Sequence, residues 1–236
     1  MNNDMSYYIG LSLLSNEGID EVGRKAVRRK FQSAEARRIL SIFEDKPVNE
    51  NDIARETSGR PFLKDRKVDF NICHSSSLTA VSYVKNMRTG CDIELIRPRQ
   101  RAGEIAQEFF THPEKKYIFS DGKLDDVKFY MIWTLKECYL KLRGLSVFDI
   151  GACPSFIKDN DCCQYHLSFT ADVSSHLSFF IYELSGRQRY ILSSVIEGAE
   201  LIQPELRWFS QSSLACKKIA EINAAPSPAE TVRPKI

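Results

Sequence analysis

The stretch 129–142 constrains the fold most, because it is apolar on almost every side of a helix with 3.6 residues per turn. A helix of this kind must be covered by other elements. Three charged side chains interrupt it: Lys136, Glu137 and Lys141. Charges in an apolar environment need partners. We therefore predict a largely buried helix at 125–143, ended by Gly144, that borders a charged site.

The remaining sequence predicts an α+β fold. Segments rich in β-branched and aromatic residues indicate strands at 6–14, 68–72, 164–170, 176–183 and 189–196. Residues 78–84 and 90–96 are predicted to form a hairpin that turns through 85–89. Apolar residues at helical spacing predict further helices at 18–45, 50–57, 101–110, 113–120 and 211–222.

Composition excludes several classes of protein. The 236 residues carry a formal net charge of +2, so no overall field favours a nucleic-acid substrate. No apolar run reaches the roughly 18 residues of a transmembrane helix, and no basic segment begins a signal peptide. Seven cysteines without C-x-x-C spacing indicate reduced thiols. We therefore expect a cytoplasmic protein that contacts neither membrane nor nucleic acid.

Two acidic residues follow Gly90 on one predicted strand. Alternate residues of a strand share a face, so Asp92 and Glu94 point the same way. Two neighbouring carboxylates repel each other unless a cation lies between them, and Mg²⁺ prefers oxygen ligands. The alternative interpretation is a solvated strand face with no ligand.

The apolar helix carries a second pattern. At helical spacing Trp133, Glu137 and Lys141 lie along one face. Glu137 and Lys141 could form a surface ion pair worth about 0.3–0.5 kcal/mol. The apolar surroundings favour instead a buried site that contains a metal ion or a phosphate.

Together these segments resemble the Sfp-type 4′-phosphopantetheinyl transferases of the holo-acyl-carrier-protein synthase superfamily. The resemblance covers about residues 59–144. It rests on four motifs in the order of the family: Gly59-Arg60-Pro61, Phe70-Asn71-Ile72-Cys73-His74-Ser75, Gly90-Cys91-Asp92-Ile93-Glu94 and Trp133-Thr134-Leu135-Lys136-Glu137-Cys138-Tyr139-Leu140-Lys141. Two residues depart from the family pattern: Cys73 replaces a serine, and Cys138 replaces an alanine or serine.

The resemblance implies two similar α+β halves that form a pseudo-dimer, with the active site in the cleft between them. We expect an N-terminal half at 1–98, a C-terminal half at 99–223 and a disordered tail at 224–236. We also expect a monomer.

The resemblance further implies an enzyme that moves the phosphopantetheine arm of coenzyme A onto a serine of an apo acyl or peptidyl carrier protein. Asp92, Glu94 and Glu137 would then hold Mg²⁺. The proton of the serine would be accepted by Glu137 or, as second choice, by Glu114. Lys141 would neutralise or protonate the departing 3′,5′-ADP.

Phosphate groups of the coenzyme need cations and hydrogen-bond donors. The motifs suggest His74 and Arg60 as the first candidates, and for His74 the alternative is a structural histidine in the core or in a turn. The remaining candidates are less specific: Cys73, Arg28, Arg29, Arg38 and Lys136.

Two other functions stay open from the sequence. A metal-dependent phosphodiesterase could use the same acids, although no further acidic cluster offers a second metal site. A non-catalytic module could bind coenzyme A or a carrier protein. The pathway is also open among fatty-acid, polyketide, nonribosomal-peptide and siderophore synthesis, and the chain length favours secondary metabolism.

Overall fold

The computed structural model describes residues 6–13, 24–158, 167–170, 176–198, 202–210 and 214–224. Up to residue 95 it contains six strands and one helix: β1 (Tyr7–Leu13), α1 (Arg24–Phe43), β2 (Ile53–Arg55), β3 (Pro61–Leu63), β4 (Val68–Ser75), β5 (Leu78–Lys85) and β6 (Arg88–Leu95).

The second part of the described chain begins with helices and ends with strands. Its elements are α2 (Ala102–Phe109), α3 (His112–Ile118), β7 (Phe119–Ser120), β8 (Lys123–Leu124), α4 (Asp126–Arg143), β9 (Ser155–Lys158), β10 (Leu167–Thr170), β11 (Leu177–Ser185), β12 (Arg189–Glu197), β13 (Glu205–Trp208) and β14 (Ala215–Ala224). The predicted α+β fold is therefore confirmed.

Two four-stranded sheets form the centre of the molecule. The first has the order β13-β1-β5-β4, and the second has the order β14-β11-β12-β6. Each contains a β–α–β–β unit whose first strand pairs antiparallel with its last. We call β1, α1, β4 and β5 the first unit, and β6, α4, β11 and β12 the second unit.

The two sheets pack face to face between two long helices. Ala36, Ile39 and Leu40 of α1 cover one face of the first sheet. Its other face meets the second sheet in a shared apolar cluster that includes Ile9 and Phe180. Helix α4 covers the remaining face of the second sheet. Alternation along each strand supplies an apolar residue to both faces, which explains the four layers.

Local signals set the limits of α4. The Asp125 side chain accepts a hydrogen bond from the Lys128 amide at 3.1 Å and so caps the first turn. At the other end Gly144 has a φ of 67°, the left-handed conformation that suits glycine. The predicted start and end of this helix are both confirmed.

Each long helix approaches one glycine closely. A Cβ atom at Gly10 of β1 would lie 2.4 Å from Ile39 Cγ2 of α1. A Cβ atom at Gly90 of β6 would lie 2.2 Å from the Cys138 carbonyl oxygen of α4. An added Cβ would collide at both positions, with side chains at Gly10 and with the α4 backbone itself at Gly90.

Three predicted elements are wrong. Residues 50–57 form only a 3-10 turn at Glu50–Asp52, followed by β2. Residues 78–84 and 90–96 are not a hairpin, because β5 pairs with β1 and β4 while β6 pairs with β12. Residues 215–224 form strand β14 rather than a helix, because pairing with β11 overrides the local pattern.

Several predictions fall partly outside the described residues. The described part of the predicted helix 18–45 is α1, and that of the strand 164–170 is β10. The predicted tail lies outside them from residue 225 onward. Across residue 98 the sheets exchange strands, since β6 pairs with β12 and β13 pairs with β1. No helix among the described residues is both long and apolar enough to cross a membrane.

Candidate active site

The acidic strand of the second unit faces α4. Gly90 lies against the α4 backbone, and Asp92 and Glu94 follow it at alternate positions on the same face. Asp92 is buried with 6% of its surface exposed, and Glu94 is half-buried. Glu137 extends from α4 and is also half-buried. One strand and one helix thus bring three carboxyl groups into one region.

Lys141 is the cation of this region. Its Nζ lies 2.6 Å from Asp92 Oδ1 and donates to the Cys91 carbonyl oxygen at 3.2 Å. The second oxygen of Asp92, Oδ2, is buried and has no hydrogen-bond partner among the described residues. A buried carboxylate oxygen without a partner is costly, so this position suits an additional cation.

Electrostatics indicate the same deficit of positive charge. Burial raises the pKa of Glu137 to about 7, and the Asp92 carboxylate adds to the rise. Burial also raises the pKa of Asp92 and of Glu94. Burial opposes the charge of Lys141, but the Asp92 carboxylate raises its pKa overall and keeps it protonated. One lysine therefore does not neutralise three acids.

The carboxyl groups do not yet form a closed metal cage. Within the described parts of the chain, no three His, Cys, Asp or Glu side chains already stand in a metal-binding arrangement. The donor set nevertheless fits a hard cation, because it offers carboxylate oxygens and one of them is buried without a partner.

His74 lies at the exposed end of β4, next to α1. Burial of its ring and the nearby charges of Lys141 and Arg29 lower its pKa. Gln32 of α1 donates to the Ser76 carbonyl oxygen at 3.0 Å and so fixes the helix beside this turn. Arg28 is half-buried and Arg29 is exposed on the same helix. These predicted phosphate contacts therefore border the turn that follows β4.

Comparison with known proteins shows a family that part of the chain resembles. A model of the 4′-phosphopantetheinyl transferase superfamily matches residues 88–192, which contain the acidic strand and α4. The match covers less than half of the chain, so it shows a resemblance to this superfamily over that segment. Residues 88–192 run through β6, α4 and β11 and end within β12, so they contain most of the second unit.

Individual transferases show the same similarity. The chain is 35% identical over 96 residues to AcpT of Escherichia coli K12, which is 39% of this chain and 48% of AcpT. It is 35% identical over 97 residues to HetI of Nostoc sp. PCC 7120, covering 38% and 40%. A Haemophilus influenzae protein with a provisional name for this activity is 29% identical over 170 residues, covering 65% and 72%. The chain thus spans less than half of AcpT and HetI.

Arg60, a predicted phosphate contact, is committed to the protein itself. Both of its terminal nitrogens donate to the Asp69 carboxylate at 2.7 Å. Its other donors reach the Thr89 and Lys141 carbonyl oxygens at 2.8 and 3.0 Å. Only 6% of the residue is exposed. Arg60 therefore joins β4, β6 and α4, and its contacts favour a structural role over coenzyme binding.

Glu114 and Lys136 form a buried ion pair at 3.0 Å, with side chains 0% and 1% exposed. Glu114 also accepts from the Thr111 and Phe156 amides at 2.8 Å each. Such a carboxylate has no exposed oxygen for a serine hydroxyl. These contacts favour a structural pair over the predicted roles of Glu114 as a base and Lys136 as a coenzyme contact.

Two other predicted coenzyme contacts are also engaged. Arg38 lies 2.6 Å from Glu35 and donates to the Phe209 carbonyl oxygen at 2.7 Å. It lies nine residues along α1 from Arg29, which is about 13 Å of helix. The Cys73 side chain is buried and donates to Cys91 Sγ at 3.3 Å. Neither arrangement favours a phosphate contact.

Sequence reasoning missed two residues that border the acids. Ser75 donates to Glu94 Oε2 at 3.0 Å and accepts from the Leu95 amide at 3.0 Å. The Arg99 guanidinium lies 5.1 Å from the Trp133 ring centroid, and its charge partly offsets the raised pKa of Glu94 and Glu137. Ser75 is the last residue of the motif that begins at Phe70, whereas none of the four motifs includes Arg99.

Proposed function

We propose that the protein is a 4′-phosphopantetheinyl transferase. It moves the phosphopantetheine arm of coenzyme A to the serine hydroxyl of an apo acyl or peptidyl carrier protein and releases 3′,5′-ADP. The observation that carries the proposal is the buried Asp92 Oδ2, which lies beside Glu94, Glu137 and Lys141 and has no hydrogen-bond partner in the described parts of the chain. Such a site suits a cation and a diphosphate, and the named relatives AcpT and HetI are transferases of this class.

Asp92, Glu94 and Glu137 are the residues that would hold Mg²⁺. When bound there, the ion would supply Lewis-acid polarisation of the diphosphate. Their donor chemistry supports this, because carboxylate oxygens are the ligands that hard divalent cations prefer.

Glu137 is the residue proposed to accept the proton of the carrier serine. It is half-buried at the edge of the acidic region, so its carboxylate stays within reach of a docked hydroxyl. Glu114, the second candidate, is fully buried and paired. Lys141 is proposed to place its protonated amine beside the 5′-phosphate of the departing 3′,5′-ADP, which offsets the negative charge that develops there.

His74, Arg28 and Arg29 are proposed to bind the 3′-phosphate of the coenzyme. His74 is exposed, and Arg29 is near enough to influence its pKa. A phosphate at this position would have charge-assisted donors from two elements of the first unit.

The two units are proposed to be halves of a pseudo-dimer, with the coenzyme between them. The support is their common order of elements and the paired close approaches at Gly10 and Gly90. The proposal keeps the predicted boundary at residue 98, although one strand of each sheet crosses it. The proposal also includes that the protein is a cytoplasmic monomer and that its carrier protein belongs to secondary metabolism.

Incubation of an apo carrier protein with coenzyme A, Mg²⁺ and this protein tests the proposal. The expected result is a carrier protein heavier by one phosphopantetheine arm, seen by intact mass spectrometry, with 3′,5′-ADP released in equal amount. Omission of Mg²⁺ and an Asp92→Asn variant are the controls. Coenzyme binding without a mass gain favours the non-catalytic module, and cleavage of a diester substrate without a carrier favours the phosphodiesterase.

A further inference from the structure

Two buried thiols face each other where the two sheets meet. Cys73 of β4 donates to Cys91 Sγ of β6 at 3.3 Å, and the residues are 3% and 0% exposed. The cysteines lie 18 residues apart in the chain, and neither is in a disulfide. Two sulfur atoms at this distance need only a small movement to reach the length of a disulfide bond, about 2.05 Å.

A ladder of side chains holds the two strands in this position. Strand β6 lies at the edge of its sheet, and three of its amides donate to side chains of β4. Asp69 accepts from the Thr89 amide at 2.8 Å, Asn71 from the Cys91 amide at 3.2 Å, and Ser75 from the Leu95 amide at 3.0 Å. These residues alternate along β4, so Cys73 shares their face and points at β6. The approach of the thiols is therefore built into the strand pairing.

The dithiol adjoins the candidate active site on both strands. Cys73 immediately precedes His74, and Cys91 immediately precedes Asp92. Lys141, which pairs with Asp92, also donates to the Cys91 carbonyl oxygen at 3.2 Å. A bond between the two sulfurs would therefore join the strand that carries His74 to the strand that carries the acids.

We propose that Cys73 and Cys91 are an oxidative modification site, where a small two-electron oxidant such as hydrogen peroxide forms a reversible disulfide that weakens coenzyme binding. One thiol attacks the peroxide, giving a sulfenic acid and one water. The second thiol then displaces the hydroxyl as another water while the S–S bond forms. Two thiols and one peroxide thus yield one disulfide and two waters. The effect on the coenzyme rests on the proposed function, whereas the cross-link does not.

Burial limits which oxidants can react. Because both sulfurs are almost inaccessible, bulky disulfide reagents should react slowly, and a small peroxide is the appropriate probe. The exposed Cys216 on β14 is the matched control for nonspecific oxidation.

Peptide mapping after peroxide treatment of the full chain tests the cross-link directly. The expected result is one peptide pair joined through Cys73 and Cys91, lighter than its two free thiols by about 2 Da and separated by dithiothreitol. The link should persist in Cys216→Ser and disappear in Cys73→Ser and Cys91→Ser. A wild-type digest in which both cysteines stay unlinked overturns the proposal without the need for any variant.

Kinetics test the functional consequence. Within each variant, the Michaelis constant for coenzyme A is compared before oxidation, after oxidation and after reduction. We expect a reversible rise of at least threefold in the wild type and Cys216→Ser, and none in Cys73→Ser. A cross-link that leaves the constant unchanged overturns the coupling to the coenzyme. If neither redox state transfers the arm, the proposed function fails, and peptide mapping still decides whether the cross-link forms.

Discussion

The two β–α–β–β units share a framework but differ in the charges around it. Two residues after its glycine, the first unit has Ser12, and the second has Asp92. Gly10 is contacted by Ile39 of α1, and Gly90 is contacted by Cys138 of α4. The residue just before this contact is Arg38 in α1 and Glu137 in α4.

Charge balance separates the units further. In the first unit Arg38 pairs with Glu35 at 2.6 Å, and Ser12 adds a hydrogen bond, so the pKa of Glu35 is lowered. In the second unit three acids share Lys141, and their pKa values rise. One framework thus holds a satisfied polar group in one unit and an unsatisfied acidic site in the other. The difference lies in a few side chains rather than in topology.

The largest expected effect on the transfer rate comes from comparing Asp92 with Ser12, the residues two positions after Gly90 and Gly10. Asp92→Asn removes the charge of the buried carboxylate, and we expect phosphopantetheine transfer to fall about a thousandfold. Ser12→Ala changes the matching position of the first unit and should leave transfer within about twofold. Rates are measured as the mass gain of an apo carrier protein. If both variants lost the same fraction of the transfer rate, the difference between the two units would not show which one contains the active site.

Glu137 and Arg38 offer a second matched pair, on the two helices. Glu137→Gln keeps the shape but removes the base, and we expect kcat to fall about a hundredfold. Arg38→Gln should lower kcat less than threefold, because its partners are Glu35 and the Phe209 carbonyl oxygen. Steady-state kinetics with saturating coenzyme A separate the two. A normal kcat in Glu137→Gln would return the role of base to another residue.

Local periodicity accounts for the relative positions of the predicted acids and of Lys141. Alternation along β6 places Asp92 and Glu94 on one face, and helical spacing places Glu137 and Lys141 together on α4. The contacts of Arg60 and Glu114 could not be found in this way. Arg60 contacts Lys141, which is 81 residues further along the chain, and Glu114 contacts Phe156, which is 42 residues further along. Helical or strand periodicity relates only residues that are close in sequence, so it cannot predict either contact.

The wrong elements have a related cause. Ile219, Ala220 and Ile222 suit either a helix or a strand, and the edge of β11 decides for a strand. For β6, the sequence identifies a strand correctly, but its partner β12 lies about a hundred residues further along the chain. The short connection between β5 and β6 favours a hairpin of these two strands, but the structure pairs β6 with β12 instead.

The two glycines test how closely the helices approach. At Gly90 an added Cβ would meet the backbone of Cys138 and Leu142, which cannot move without displacing α4. At Gly10 it would meet only the ends of side chains, among them Ile39 and Phe43. We expect Gly90→Ala to lower the free energy of unfolding by about 3 kcal/mol and Gly10→Ala by about 1 kcal/mol. Urea unfolding measures both, and equal losses would contradict the difference in packing.

The smallest expected effect is a difference in the pH dependence of stability, with opposite signs in the two units. The pKa of Glu137 is about 7 in the folded protein, against an ordinary value of 4.5. The contribution of Glu137 to the free energy of unfolding is therefore fully present below pH 4.5 and is lost as the pH rises through 7. Glu35 has a lowered pKa, so its contribution is present above its ordinary value and is lost only in acid.

Melting curves in the presence of a chelator measure this difference. Between pH 8 and pH 6 the wild type should gain about 1 kcal/mol from Glu137, or about 3 °C in Tm. Glu137→Gln should lack this gain, and Glu35→Gln should retain it. Glu35→Gln leaves every titrating group of the second unit unchanged and is therefore the matched control. A gain in stability that survives in Glu137→Gln would mean that Asp92 or Glu94 takes up the proton instead.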